Sequence, residues 1–128
     1  MENIRLNFAH ICENAFLSQD GKINIIGDFD RISIKRQIPE APLFFSFYVV
    51  TNFTVDPDKQ YTQEILLINT INGSEIAKQK VEQDIKNEKI GIIAQFNVQF
   101  PSEGLYKIVI KLNGSLYNEL PLKVEEKK

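Results

Sequence analysis

Cysteine and histidine occur once each in this sequence, as Cys12 and His10. A single thiol excludes an intrachain disulfide. A zinc centre needs about four ligands, and no further Cys or His exists to complete one. A charge excess is also lacking: 15 Lys and Arg stand against 17 Asp and Glu, for a net charge of −2. Nucleic-acid binders gain affinity by neutralising phosphates and usually show a basic face, so no nucleic-acid partner is expected. Long apolar runs are missing too. Stretches such as Ile65–Ile68 are far too short to span a bilayer, so no membrane partner is expected. Met1-Glu2-Asn3-Ile4-Arg5 has no basic segment leading into an apolar one, so the cytoplasm is the expected location. No Gly-x-Gly-x-x-Gly, Walker-type loop or Gly-x-Ser-x-Gly is present. The expectation is a protein that is not an enzyme and needs no cofactor.

What is present is enough apolar mass for one core. The chain has 128 residues, 43% of them hydrophobic, with nine Phe. That fits a single domain burying roughly two-thirds of its unfolded surface. Residues 1–124 are read as that domain. The mixed-charge Glu125-Glu126-Lys127-Lys128 is read as a frayed tail.

The apolar period is two almost throughout, the mark of strands with one face in a core. Ile90, Ile92, Ala94, Phe96, Val98 and Phe100 share one face, and Ile93 interrupts the polar face opposite. Tyr106, Ile108, Ile110 and Leu112 repeat the pattern, as do Leu116, Leu120, Leu122 and Val124. Turn chemistry separates the runs. Asn72-Gly73 and Asn113-Gly114 suit two-residue type I′ hairpins. Asp20-Gly21, 39–42 and 101–104 read as further turns. The expected strands are 4–12, 22–35, 43–55, 61–72, 75–82, 90–100, 105–113 and 115–124. Within 22–35 the apolar face changes from Ile23, Ile25 and Phe29 to Ile32 and Ile34, as a β-bulge near Gly27 would produce. Pro121 implies an edge position or a bulge. Residues 74–86 also fit a helix, with Ala77, Val81 and Ile85 four apart and Ser74 as a cap. Regularly spaced short strands indicate an all-β, antiparallel two-sheet sandwich.

Two stretches carry a resemblance. Cys12-Glu13-Asn14-Ala15 is followed by the run Gly21-Lys22-Ile23-Asn24-Ile25-Ile26-Gly27-Asp28-Phe29-Asp30-Arg31-Ile32. Later come Phe100-Pro101-Ser102-Glu103-Gly104-Leu105-Tyr106, Gly114 and Leu120-Pro121-Leu122-Lys123-Val124. Together they resemble a family of short prokaryotic proteins of unknown function. The resemblance implies an immunoglobulin-like sandwich of seven to nine strands and no chemistry. Tyr106, just after a turn into a late strand, has the position of a tyrosine corner, ring buried and hydroxyl bonded to nearby backbone.

Candidate sites are few. His10 and Cys12 point to one face of a strand. Neighbours two apart lie roughly 6.5–7 Å apart, a poor start for a thiol–imidazole pair. Asp28 and Asp30 read as surface residues pairing with Arg31 or turn amides. Strand 43–55 is sharper. Leu43, Phe45, Phe47, Val49 and Phe53 supply one apolar face, and Phe44, Tyr48 and Val50 supply a second. Its expected hairpin neighbour 61–72 is also apolar on both faces, with Leu66 and Ile68 opposed to Ile65 and Leu67. A strand apolar on both faces is covered on both. The cover is a loop, residues 74–88 or another chain. Phe44, Tyr48, Val50, Leu66 and Ile68 are therefore the expected interface of a protein-interaction module, most simply a homodimer. The alternative is a ligand- or Ca²⁺-binding sandwich. There, alternating strands gather Asp20, Asp56, Asp58, Asp84 and Glu88 at one end, among Lys59 and Lys86.

Overall fold

Period-two alternation becomes strand nearly everywhere in the computed structural model, which describes residues 4–20, 22–36 and 38–127. Among these, nine strands form: β1 (Arg5–Leu17), β2 (Ile23–Asp28), β3 (Arg31–Ile34), β4 (Leu43–Thr54), β5 (Lys59–Asn69), β6 (Glu75–Ile85), β7 (Lys89–Phe100), β8 (Gly104–Leu112) and β9 (Ser115–Glu126). Sheet A has the order β2-β1-β4-β7, and sheet B the order β3-β9-β8-β5-β6. The inward rows of the two sheets make one core. Phe47 stacks on Phe96 at 5.4 Å between centroids. A buried polar contact joins the sheets inside this core, a hydrogen bond from the Thr51 hydroxyl to Gln63 Oε1.

Sheet changes occur where the sequence pattern breaks. The face switch inside 22–35 is a change of sheet as well as a kink. β2 pairs with β1, the chain crosses at Phe29–Asp30, and β3 joins sheet B. Gly27 takes the left-handed φ of +72° just before the crossing. Phe29 turns into the core, edge-on to Phe45 and Phe47. A second crossing follows β4. Val55 is buried, Asp58 adopts φ 62°, and its N–H donates to the Ile85 carbonyl. The expected hairpin of 43–55 with 61–72 therefore does not form. β4 pairs with β1 and β7, and β5 with β6 and β8.

β3 runs parallel to β9, and the other pairings are antiparallel. A five-stranded sheet ended by a parallel strand that has crossed from the opposite sheet is an immunoglobulin-like arrangement. Tyr106, early in β8, donates its hydroxyl to the Ser102 carbonyl at 2.7 Å while its ring lies edge-on to Phe100. Tyr61 does the same from β5, donating to the Asp56 carbonyl at 2.9 Å.

The smaller expectations divide. Asn113 and Gly114 have φ of 50° and 83°, the type I′ pair. Asn72 is not left-handed. Gly73 (φ +71°) donates its N–H to the Asn69 carbonyl, closing a longer turn. The Asp20-Gly21 turn falls partly on Gly21, outside the described residues. Residues 75–85 are strand β6 at the edge of sheet B, not helix. Pro121 occupies a local edge, because β3 pairs with β9 only from Lys123 onward. β9 runs through Glu126, so Glu125 and Glu126 are paired with Ser33 and Ile34 and are not a frayed tail.

Candidate interaction surface

The outward side chains of β4 and β7 in sheet A include Phe44, Tyr48, Val50 and Ile93. Val50 is fully buried within the chain. Its cover is the end of the β1–β2 hairpin. The β1–β4 ladder stops at Cys12↔Tyr48, and residues 13–17 continue paired only to β2. At that point the inward row changes. Phe8 and Cys12, across from Asn52 and Tyr48, point to the outer face of the sheet, whereas Ala15, with Ile23 and Ile25 from β2, packs onto that face from above. These side chains pack on Val50, Tyr48 and Ile93 as a second, small apolar cluster. A Cβ built on Gly91 of β7 would lie 3.2 Å from Ile23 Cδ1. Since β7 is two strands beyond β1 in the sheet, the hairpin lies across the sheet as an arm.

The arm's bend sits at Glu13 and Gly27. Cys12↔Asp28 and Asn14↔Ile26 are paired on either side, without a pair between them. The Glu13 side chain lies over Gly27, where a Cβ would come within 2.9 Å of it. The cover is thus intramolecular, but it comes from residues 14–17 and 22–26 and not from 74–88. Beyond it Phe44 stays 52% exposed, and the arm itself exposes Phe16 (45%), Leu17 (62%) and Ile26 (51%).

Leu66 and Ile68 lie elsewhere, on the outer face of sheet B. The five expected interface residues therefore do not make one patch. Leu66 pairs across to Lys78 and Val109, and Leu66 and Val109 are both buried. Ion pairs Lys78–Glu64 (3.1 Å) and Lys107–Glu119 (3.2 Å) stand around them. Their aliphatic stems cover the two apolar residues while the charges stay in water.

The chemistry-bearing residues are inert or engaged. His10 Nδ1 lies 2.9 Å from Asp28 Oδ2. Asp28 thus pairs with His10, and Arg31 reaches Glu125 at 3.9 Å. Cys12 is fully buried under the arm, and burial, then the Asp28 charge, pushes its thiol above the ordinary range. A thiol kept neutral is a poor nucleophile. A cleft of about 440 Å³ opens between β1 and β9 below the β2–β3 crossing, with His10, Asp28 and Asp30 at its polar side and Phe29, Leu120 and Pro121 as its apolar wall. Among the described residues no three His, Cys, Asp or Glu are grouped to hold a metal ion. Of the carboxylates expected at one end, Asp58 and Asp84 line one small cleft together with Lys59 and Lys86, and Asp56 sits 3.9 Å from Lys59. Among the described residues no helix is long and apolar enough to cross a membrane.

The sequence reading missed Phe16, Leu17 and Ile26. The available signal was the apolar Ala15-Phe16-Leu17 just past the expected end of the first strand, matched by Ile23, Ile25 and Ile26 on the return.

A family model described as a family of unknown function, DUF6941, matches residues 7–125. No curated protein matches the chain. Among solved structures, the chain is similar to an immunoglobulin-like protein from Pseudomonas aeruginosa. The two share 14% identity at a TM-score of 0.47, over 96% of this chain and 97% of that one.

Proposed function

The chain belongs to DUF6941, a family of unknown function, and we propose that the domain is a non-enzymatic protein-interaction module that self-associates through the outer side of sheet A. One observation supports this reading. Phe44 on β4 and Phe16, Leu17 and Ile26 on the arm are large apolar side chains left about half or more exposed on that side of the molecule. Outward-facing aromatics of this kind are characteristic of interface centres. Sheet B differs. Its exposed Leu105 and Leu116 lie at opposite ends of the β8–β9 ladder, and Leu66 and Val109 lie beneath ion-paired stems. Of the five residues expected from sequence, Phe44 is the exposed one, and on this reading it touches the partner directly. Tyr48 and Val50 act through the arm that lies on them. Sedimentation at micromolar concentration is expected to show a dimer, and Phe44→Glu a folded species with at least tenfold weaker association. A wild-type monomer at the highest soluble concentration contradicts the reading.

A further inference from the structure

We propose that the β1–β2 arm is a detachable element, and that the apolar face beneath it takes the same arm from a second copy of this chain. This rests on the reading that the domain self-associates through the outer side of sheet A.

The attachment of the arm is unlike that of any other strand. Every strand of the body is held by ladder hydrogen bonds within its own sheet. The arm's ladder bonds run only between its own two strands from residue 14 onward. Its turn bonds are internal too: Ser18 N–H donates to the Lys22 carbonyl, the Ser18 hydroxyl to Asp20, and Lys22 pairs with Asp20. Among the described residues, no hydrogen bond or ion pair ties 14–17 or 22–26 to β4 or β7. What holds the arm down is apolar packing alone: Ala15, Ile23 and Ile25 on Tyr48, Val50 and Ile93. Such packing is short-ranged, non-directional and indifferent to which chain supplies it.

The bend is built to move. The ladder is interrupted at Glu13 and Gly27, and Gly27 is left-handed with a side chain already resting on it. A rotation there lifts the arm without breaking any bond of the body. When two protomers exchange this identical element, each face receives from its partner the same packing that opening removed. The net cost is therefore small, and the product is a closed two-fold dimer. The outward Phe16 and Ile26 then flank the junction between the two bodies, in keeping with their exposure in the closed chain.

Cys12 makes the opening measurable, because the protein's only thiol is fully buried beneath the arm. Labelling with dithiobis(nitrobenzoate) under native conditions is expected to run at least tenfold faster than global unfolding. Labelling that only keeps pace with global unfolding overturns the detachable arm, whatever the oligomeric state. Exchange is tested by complementation. Ile23→Asp with Ile25→Asp gives an arm that does not dock. Ile93→Lys, at a half-buried outward position, gives a face that does not receive one. Each alone is expected to be a folded monomer. Their mixture is expected to form dimers, since only an exchanged pair joins the intact arm to the intact face. If the wild type dimerises but the mixture does not, exchange is wrong and self-association through Phe44 stands. If the wild type stays monomeric at every concentration, both fail. Should a variant not fold, native mass spectrometry of wild type mixed with an isotopically labelled copy before and after brief arm opening by mild urea replaces it. Mixed dimers that appear only after arm opening support exchange, and mixed dimers that form equally before it, or not at all, overturn it.

Discussion

The outer faces of the two sheets solve the same problem in different ways. Each sheet carries apolar side chains on the face turned away from the core: Val50 and Ile93 in sheet A, Leu66 and Val109 in sheet B. Sheet A hides its set beneath a folded-back hairpin. Sheet B hides its set beneath the stems of Lys78, Glu64, Lys107 and Glu119. The first cover is a piece of backbone that excludes water from Val50 and leaves Ile93 partly buried. The second is a fringe of side chains, each solvated and each moving alone. A continuous cover of this kind is the one that the proposed exchange with a second copy uses. That difference places the interaction reading on sheet A.

The largest expected effect tests dryness directly. Val50→Asp puts a carboxylate under the arm, across from a His10 already engaged by Asp28, and a poorly compensated buried charge costs on the order of 3–5 kcal/mol. Leu66→Asp puts the same group directly across from Lys78. There it meets a counter-charge within the ion-paired fringe, and the loss reduces to about 1.5–3 kcal/mol of forfeited apolar burial. Urea denaturation of the two variants is expected to separate their midpoints clearly. Equal losses mean the two covers are equally dry and remove the contrast.

A smaller effect is expected at the bend. Gly27 and Gly73 have nearly the same left-handed φ, +72° and +71°. A Cβ at Gly73 meets nothing within 4 Å, whereas one at Gly27 meets the Glu13 side chain at 2.9 Å. Gly73→Ala is expected to cost about 1–2 kcal/mol from backbone strain alone. Gly27→Ala is expected to cost about 2–3 kcal/mol, strain plus displacement of Glu13. Adding Glu13→Ala to Gly27→Ala should bring it back to the Gly73→Ala value, since the side chain that had to move is gone. Thermal unfolding measures all three. A Gly27→Ala loss no larger than that of Gly73→Ala would show that Glu13 is free to leave and does not brace the bend.

How much of this was legible in the residues follows from the range of each signal. Alternation is a local property, so the core rows of β4, β7 and β8 were readable from Phe47, Phe96 or Ile108 and their neighbours. Asn113-Gly114 was readable because a type I′ turn is fixed by two residues. The face switch near Gly27 was also visible, but a bulge and a change of sheet give the same parity break. Only the partner strands tell them apart, and those lie far along the chain. The same blindness joined 43–55 to 61–72 as a hairpin and so merged two faces into one imagined patch. Both-faced apolarity in β4 rightly demanded a cover. Its source, residues 14–17 and 22–26, left an apolar pattern in the sequence, but that pattern does not say where a bend will lay the hairpin.

The smallest expected effect is a pH signature that divides between the two faces. The Cys12 thiol under the arm is pushed up, chiefly by burial. A group whose folded pKa is raised contributes its stability below the unfolded value, about 8.5 for a thiol, and loses it as pH rises toward the folded one. Sheet B behaves in the opposite sense. Glu64 is held low first by its hydrogen bond from Lys78 and then by the Lys78, Lys80 and Lys111 charges, and Glu125 by Lys123 and then Arg31. A lowered carboxyl contributes above its unfolded value, about 4.3, and loses that contribution as pH falls through the folded pKa. The melting temperature is therefore expected to decline on both sides of neutrality for separate reasons. Cys12→Ala should flatten the alkaline limb and leave the acid limb unchanged. Lys78→Ala should do the reverse, and only in part, because Asp20 at the arm's tip is also held low by the Ser18 hydroxyl. Glu64 and Glu125 reach water, and salt screens such pairs. The acid limb of the wild type should accordingly shrink in 1 M NaCl more than the alkaline limb does. Limbs that respond alike to salt would mean that the arm admits ions as freely as the lysine fringe does, and the face beneath it would not be dry.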